Sequence, residues 1–153
     1  MLHESPISTL EVRHLEPATL ARRLAALIYD ALVLAAVLTC FTLIAVLFRG
    51  FRPIEPATWW FDTSLIAISV VFYGWFWTHG GQTLGMRAWR IRVVGRDGGD
   101  VPWSRAIGRF FAAWLSALPV GLGYWWSLID TENLCWHDRL SRTLLVRVVP
   151  KSP

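Results

Sequence analysis

The feature that most constrains this chain is a run of 25 residues, 24–48, in which Asp30 is the one charged side chain. About 20 consecutive apolar residues are enough for a helix to cross the hydrocarbon core of a bilayer. Arg22 and Arg23 come directly before the run, and arginines favour the cytoplasmic end of a span. The run therefore predicts a transmembrane helix.

Residues 59–78 predict a second span. Trp59 and Trp60 mark one end of this apolar segment, and Trp75 and Trp77 mark the other. At 1.5 Å per residue the two pairs lie about 24 Å apart along a helix. This spacing suits the two membrane interfaces, where tryptophan is enriched.

The third apolar segment, residues 104–130, has two interpretations. Its length allows a single crossing, but Pro119, Gly121 and Gly123 fall at its middle, where they would interrupt a continuous helix. The alternative is a helical hairpin, or re-entrant pair, that returns to the side from which it started.

Two short β-rich stretches flank this segment. Residues 90–95 alternate and are β-branched, and residues 143–149 have the same character. Because a lone strand leaves backbone groups unsatisfied, we expect the two to pair with each other. Both must then lie on one side of the membrane.

Charge favours the returning hairpin. With a cytoplasmic N-terminus, a single crossing would put nine Lys and Arg residues inside and six outside, whereas a returning segment gives thirteen and two. Cytoplasmic segments carry the excess of positive charge. We therefore predict an all-α polytopic membrane protein with two clear transmembrane helices, a third broken apolar segment and a small cytoplasmic β-hairpin-like strand pair.

The chain is predicted to be one domain over residues 1–153, with a polar N-terminal tail at 1–20 and a membrane core at 22–149. No apolar stretch typical of a cleavable signal precedes the first span. The predicted partner of the protein is the lipid bilayer. Because the chain has so few helices, a homo-oligomer or a membrane partner protein is also expected.

Asp30 is the candidate functional residue within the first span. A carboxylate near the bilayer interior costs at least ~2.5–3.5 kcal/mol, so such groups face protein or a wet cavity. Arg23 lies two helical turns earlier on nearly the same face, with the small Ala26 between them. One interpretation is a proton, cation or solute site. The other is an aspartate that fixes helix packing by pairing with an arginine from elsewhere, such as Arg109.

The sequence contains none of the motifs that we sought for enzymes, metal sites or nucleotide binding. The sequence has no Walker, HExxH or GxSxG motif, and His137-Asp138-Arg139 lacks the other kinase elements. Cys40 and Cys135 have no partners at metal-ligand spacing. The net charge of +4 comes from arginines that flank apolar runs, which argues against nucleic acid. We expect no enzyme activity, cofactor or metal.

Three pieces of sequence, ARRLAALIYD, GQTLGMRAWRIRVVGRDG and HDRLSRTLLV, together resemble the RDD family of bacterial membrane proteins. Arg23 and Asp30 match the family's arginine and first aspartate, and Asp138 matches the second. Gln82, Thr83 and Gly85 match its Gly-Gln-Thr-x-Gly stretch, which we place in a cytoplasmic loop. Ser141-Arg142 stands where Ala-Gly is usual and Trp136 replaces a common aliphatic residue, departures expected to alter local turn geometry.

The resemblance implies a bacterial cytoplasmic membrane and, as a suggested role, transport of ions or small ligands. The first hypothesis is therefore transport through a polar cluster of Arg23, Asp30, Asp138 and Arg109 near the cytoplasmic face. The second is a scaffold or accessory subunit whose basic strand pair docks a partner protein or anionic lipid. Its basic residues are Arg90, Arg92, Arg96 and Arg147.

Overall fold

A computed structural model describes residues 16–118, 121–132 and 134–148. The predicted polar tail lies mostly outside these residues, as does Pro119. The elements, in chain order, are α1 (Leu20–Phe48), α2 (Trp59–Thr78), α3 (Leu84–Ala88), β1 (Ile91–Gly95), α4 (Trp103–Ala117), α5 (Leu122–Trp125), a 3-10 turn (Trp126–Leu128), α6 (Trp136–Leu140) and β2 (Thr143–Arg147).

Helix α1 packs against the rest of the chain in its first turns and has no buried residue after them. Its buried residues are Arg23, Ala26 and Asp30, all in the first three turns. None of its most apolar 18-residue window is buried against the rest of the chain. Residues 31–48 would extend about 27 Å, close to the ~30 Å hydrocarbon core. Helix α1 is therefore long and apolar enough to cross a membrane, and Asp30 lies where the packed part ends.

Helix α2 forms where the second span was predicted, but the prediction of two clear spans is not met. By length and apolar composition, α1 is the one single helix among the described residues that qualifies. Helix α2 has 20 residues, carries Asp62 in its first turn and contains four tryptophans and one tyrosine. Its last turns are buried at Gly74 and Trp77, where the ring of Trp103 would collide with any side chain on Gly74.

The two predicted strands form an antiparallel pair, with Ile91 opposite Arg147 and Gly95 opposite Thr143. The pair is not a hairpin in sequence, because residues 96–142 lie between the strands. Pro17 adds an isolated bridge to Val146. Ile91 and Val93 are almost completely buried and belong to the hydrophobic core.

The third apolar segment is sharply bent at its middle. Helix α4 meets the segment from α5 to the 3-10 turn at an angle of 104°, and Gly123 lies so close to Ser116 that no side chain would fit there. Helix α6 packs against α4, and β2 then pairs with β1. Because hydrogen-bonded strands lie on one side of a bilayer, the strand pairing fits the predicted return of this segment better than a single crossing.

Helix α4 buries one face and exposes a second apolar face. Ala106, Arg109 and Phe110 are buried, whereas Phe111 and Trp114 are more than half exposed. A soluble protein would place polar residues on that outer face. The exposed apolar face is the pattern expected of a segment that contacts lipid.

Candidate functional site

Asp138 is the centre of a buried ion cluster. One carboxylate oxygen accepts a hydrogen bond from Arg109 at 2.6 Å, and the other accepts from the Arg23 guanidinium and from the backbone N–H of Cys135. Asp138 is fully buried, and both arginines are at least 95 % buried. The cluster thus joins α1, α4 and α6 through residues far apart in sequence.

The rest of each guanidinium is also held. Arg23 Nε donates to the carbonyl of Ala18 at 2.9 Å, and another of its nitrogens lies 3.3 Å from the sulfur of Cys135. Arg109 donates to the hydroxyl of Thr143 at 2.5 Å and stacks over the Trp77 ring at 5.4 Å. These contacts extend the cluster to β2 and α2.

The charges set the protonation states of the cluster. Burial alone would raise the pKa of Asp138, but Arg109, His137 and Arg23 outweigh it and hold this pKa well below its usual range. Burial lowers the pKa of His137 to about 3, so this imidazole is neutral. Burial also raises the pKa of the Cys135 thiol. Two guanidinium cations and one carboxylate leave the cluster with a charge of +1.

Asp30 has different partners from the ones that the sequence suggested. Its carboxylate accepts hydrogen bonds from the Thr83 hydroxyl at 2.5 Å and from the Gly85 backbone N–H at 2.8 Å. Arg109, the partner that the sequence suggested for Asp30, binds Asp138 instead. The Thr83 oxygen in turn accepts from the N–H of Met86 at 3.2 Å and caps α3.

The Gly-Gln-Thr-x-Gly stretch is the connector between β1, α3 and α1. Gly81 adopts a positive φ of 71° and accepts a backbone hydrogen bond from Val93 at 2.8 Å. Gln82 donates to the carbonyl of Ile91 at 2.8 Å. A side chain on Gly85 would collide with the Ala26 carbonyl and the Asp30 carboxylate. Gly81 and Gln82 therefore hold the motif to β1, and Thr83 and Gly85 hold it to α1.

A cavity of about 300 Å³ connects the two polar centres. Its walls come mainly from apolar and aromatic residues of α1, α2 and α4, while Asp30, Arg23 and Arg109 all line it. The four residues predicted as a polar cluster thus divide into a contiguous trio with Asp138 and a separate Asp30 on the same cavity. Their functional role stays a prediction.

A metal does not suit this site. The ligand atoms of Cys135, His137 and Asp138 lie within 4.8 Å of one another. However, both carboxylate oxygens already accept hydrogen bonds from guanidinium groups. Two neighbouring cations repel a metal ion, and the raised pKa of Cys135 keeps its thiol protonated at neutral pH.

The sequence analysis missed His137 and Thr143 as members of the site. Their burial follows from the return of α4 and the pairing of β2, which place them beside Arg109. The signal that was present was the resemblance around Asp138, since the matched piece HDRLSRTLLV contains both residues.

The departure at Ser141-Arg142 has a visible consequence. Arg142 adopts a φ of +52°, in the left-handed region that favours glycine. The turn before β2 therefore keeps a glycine-like conformation despite carrying arginine, and it stores strain of about 1–2 kcal/mol.

The basic strand pair is less positive than its sequence suggests. Arg96 lies 2.6 Å from Glu132, Arg147 lies 3.2 Å from Glu16, and Arg92 lies 3.6 Å from Asp100. Three of the four arginines named for a docking surface thus have an acidic neighbour.

Comparison with curated proteins and with solved structures finds no match. The model of the RDD family matches residues 17–142, which include α1, the Gly-Gln-Thr-x-Gly connector and Asp138. Since this match covers most of the chain, the protein belongs to the RDD family.

Proposed function

We propose that this chain is a multi-pass membrane protein that moves ions or small solutes, with Asp30 as the residue that handles the cargo. The observation that carries the proposal is the position of Asp30. It lies where the packed part of α1 meets the apolar span and lines a cavity together with Arg23 and Arg109. Ionisable residues within membrane spans often mark the pathways of ions and substrates.

The arrangement of partners supports different roles for the two aspartates. Asp138 is held by two cations, and its bonds cannot open without separating buried charges. Asp30 is held by a hydroxyl and a backbone N–H, both neutral. Rotation of the Thr83 hydroxyl frees an Asp30 oxygen for a proton, a cation or a solute donor.

The proposed topology has a cytoplasmic N-terminus in a bacterial inner membrane. Helices α1 and α2 cross as an antiparallel pair, and the segment from α4 to the 3-10 turn enters and returns on the inner side. The strand pair and the ion cluster then lie at the cytoplasmic end, which holds most of the arginines. The unpaired apolar faces of α1 and α4 contact lipid or a second copy, because one chain encloses too little space for a path.

The test compares flux of protons and of monovalent cations in proteoliposomes containing the wild type or Asp30→Asn. Asparagine keeps an acceptor oxygen for Thr83 or Gly85 and removes the charge. We expect flux in the wild type, at least a tenfold loss in Asp30→Asn, and no loss in Asp62→Asn, an exposed acid of α2. Equal flux for wild type and Asp30→Asn, or none for either, contradicts transport by Asp30.

The second candidate function is a non-transporting, non-enzymatic scaffold. The observation in its favour is that every carboxylate oxygen of Asp30 and Asp138 already has a partner within the chain. On this hypothesis Asp30→Asn lowers accumulation of the folded protein, and Arg90→Gln or Arg96→Gln loses a co-purifying partner or binding to anionic vesicles. The acidic neighbours of three strand arginines make this the weaker candidate.

A further inference from the structure

We infer that the turn at the end of α3 binds the phosphate group of an anionic phospholipid through Arg22, Arg87 and Arg90. None of these arginines lines the cavity, so the lipid site is independent of the proposed transport. A second turn of the same construction, at the end of α6, shows which charge the first turn lacks.

The chain contains one structural unit twice: a five-residue helix, an arginine with positive φ, and a five-residue strand. The first unit is α3, Arg90 and β1, and the second is α6, Arg142 and β2. Both arginines have a φ of 52°. The middle residues of the two strands, Val93 and Leu145, lie opposite each other. An approximate twofold axis therefore relates the two units.

The hydrogen bonds of the two turns also correspond. The N–H of Arg90 donates to the carbonyl of Arg87 at 3.2 Å, and the N–H of Arg142 donates to the carbonyl of Arg139 at 3.3 Å. The carbonyls of Arg90 and Arg142 each accept from the residue that follows the opposite strand, at 2.8 Å and 3.1 Å. Arg87 and Arg139 therefore occupy equivalent positions.

The negative partner of this position is present in one unit and missing in the other. Arg139 forms an ion pair with Asp130 at 2.5 Å, whereas the residue at the same distance before α3 is the uncharged Thr78. Within the part of the chain that the structure describes, the ion pairs involve neither Arg87 nor Arg90, and both residues are exposed. An external anion can therefore bind Arg87 as Asp130 binds Arg139.

A third cation adjoins the same turn. The guanidinium group of Arg22 donates to the carbonyl of Trp89 at 3.2 Å, in the peptide group directly before Arg90. Arg22 likewise forms no ion pair with the described residues. Arginine suits the several oxygens of a phosphate group, because its planar donors bind two of them at once.

The surroundings of the turn indicate a lipid as the source of the phosphate. Arg22 lies in the first turn of α1, directly before the apolar run, and the exposed Tyr29 follows it on the same face of the helix. Leu84 and Trp89 of the α3 region are exposed as well. Tyrosine and tryptophan favour the level of the lipid headgroups, and basic residues beside a span attract anionic lipids.

The experiment titrates dioctanoyl-phosphatidylglycerol into the purified full-length chain in a nonionic detergent, followed by isothermal titration calorimetry with protein-free micelles as the blank. Dioctanoyl-phosphatidylcholine and inorganic phosphate are the comparison ligands. Arg87→Gln removes one charge of the turn. Arg139→Gln is the matched control, because it makes the same change at the equivalent position, where Asp130 already binds the guanidinium group. The unfolding midpoint of each variant is measured alongside.

We expect the wild type to bind the phosphatidylglycerol more tightly than the phosphatidylcholine. Arg87→Gln should weaken binding of the phosphatidylglycerol by about fivefold, and the double variant Arg87→Gln, Arg90→Gln by about 25-fold, since each arginine near a membrane surface contributes about a fivefold attraction. Arg139→Gln should change this binding by less than about twofold.

Equal or absent binding of the two lipids by the wild type overturns the proposal, because the negative charge of the lipid then contributes nothing. Equal weakening by Arg87→Gln and Arg139→Gln also overturns it, since the overall positive charge would then explain the binding. If inorganic phosphate binds as tightly as the phosphatidylglycerol, the assignment to a lipid is wrong. An acidic protein that co-purifies with the wild type and is lost from Arg87→Gln, without lipid binding, refutes the lipid and assigns the turn to a protein partner.

Discussion

Replacing Asp138 with asparagine removes the one negative charge of the ion cluster while keeping nearly the same side-chain volume. The guanidinium groups of Arg23 and Arg109 then remain buried with no carboxylate between them, and the charge of the cluster rises from +1 to +2. Removing one partner of a buried ion pair costs about 3–5 kcal/mol. At about 2–4 °C per kcal/mol for a domain of this size, Asp138→Asn should lower the unfolding midpoint by about 6–20 °C.

The assay follows unfolding with a thiol-reactive dye in a Cys40→Ala background. Cys135 is completely buried and contacts both Arg23 and Asp138, so its reaction reports the opening of the cluster itself. The matched control is Asp97→Asn, which removes an exposed partner of Arg105. Exposed pairs of this kind contribute at most about 1 kcal/mol.

A double-mutant cycle separates charge from packing. Arg109→Met alone leaves Arg23 and Asp138 as a balanced pair. The double variant Asp138→Asn, Arg109→Met restores the wild-type charge of +1. We expect the double variant to lose at least 1 kcal/mol less stability than the sum of the losses in the two single variants. A midpoint for Asp138→Asn within 2 °C of that for Asp97→Asn would refute the cluster as a source of stability.

Three further predictions concern parts of the structure around the cavity. Burial lowers the pKa of His137 to about 3, so between pH 3 and about 6.5 only the unfolded chain binds a proton at this residue. The free energy of unfolding should therefore be at its full value above pH 6.5 and fall by about 2 kcal/mol from pH 7 to pH 5. This loss should be absent in His137→Gln and retained in His79→Gln. Gly85→Ala should lower the free energy of unfolding by about 1–3 kcal/mol, because the new methyl group overlaps α1. The control is Gly108→Ala in α4, where the methyl group meets open space, and it should be neutral or stabilising by up to about 1 kcal/mol. Thr83→Val should cost about 1–3 kcal/mol by leaving Asp30 short of a donor and α3 without its cap, as measured by thermal unfolding.

Local pattern was sufficient for much of the fold. The apolar run predicted α1, β-branched alternation predicted both strands, and the argument that lone strands must pair predicted that the two strands pair with each other. Pairing then required the third segment to return, which the 104° bend between α4 and α5 fits. Helix α2 also formed as predicted, yet among the described helices α1 alone is long and apolar enough by itself to qualify as a span.

The partners of the charged residues could not be predicted in the same way. Arg109 and Asp138 are 29 residues apart and Arg23 and Asp138 are 115 apart, so their contact depends on the complete path of the chain. An arginine partner was one expectation for Asp30, because ion pairing is the usual way to bury a carboxylate. The structure instead uses the N-terminus of α3, a site whose donors belong to the backbone and to Thr83 and carry no charge signal in the sequence.

On the proposed transport function, this difference in partners decides which aspartate exchanges a proton, an ion or a solute. The pKa of Asp138 is held far below its usual range by the Arg109 and Arg23 cations despite its burial, so Asp138 stays ionised and fixed at any physiological pH. The bonds of Asp30 come from dipoles, and one of them, the Thr83 hydroxyl, can rotate away without separating two charges. On the proposed function, removing the charge of Asp30 lowers flux even in variants that fold normally, whereas removing the charge of Asp138 first lowers the stability of the fold. Loss of flux in a fully stable Asp138→Asn variant would reverse this assignment.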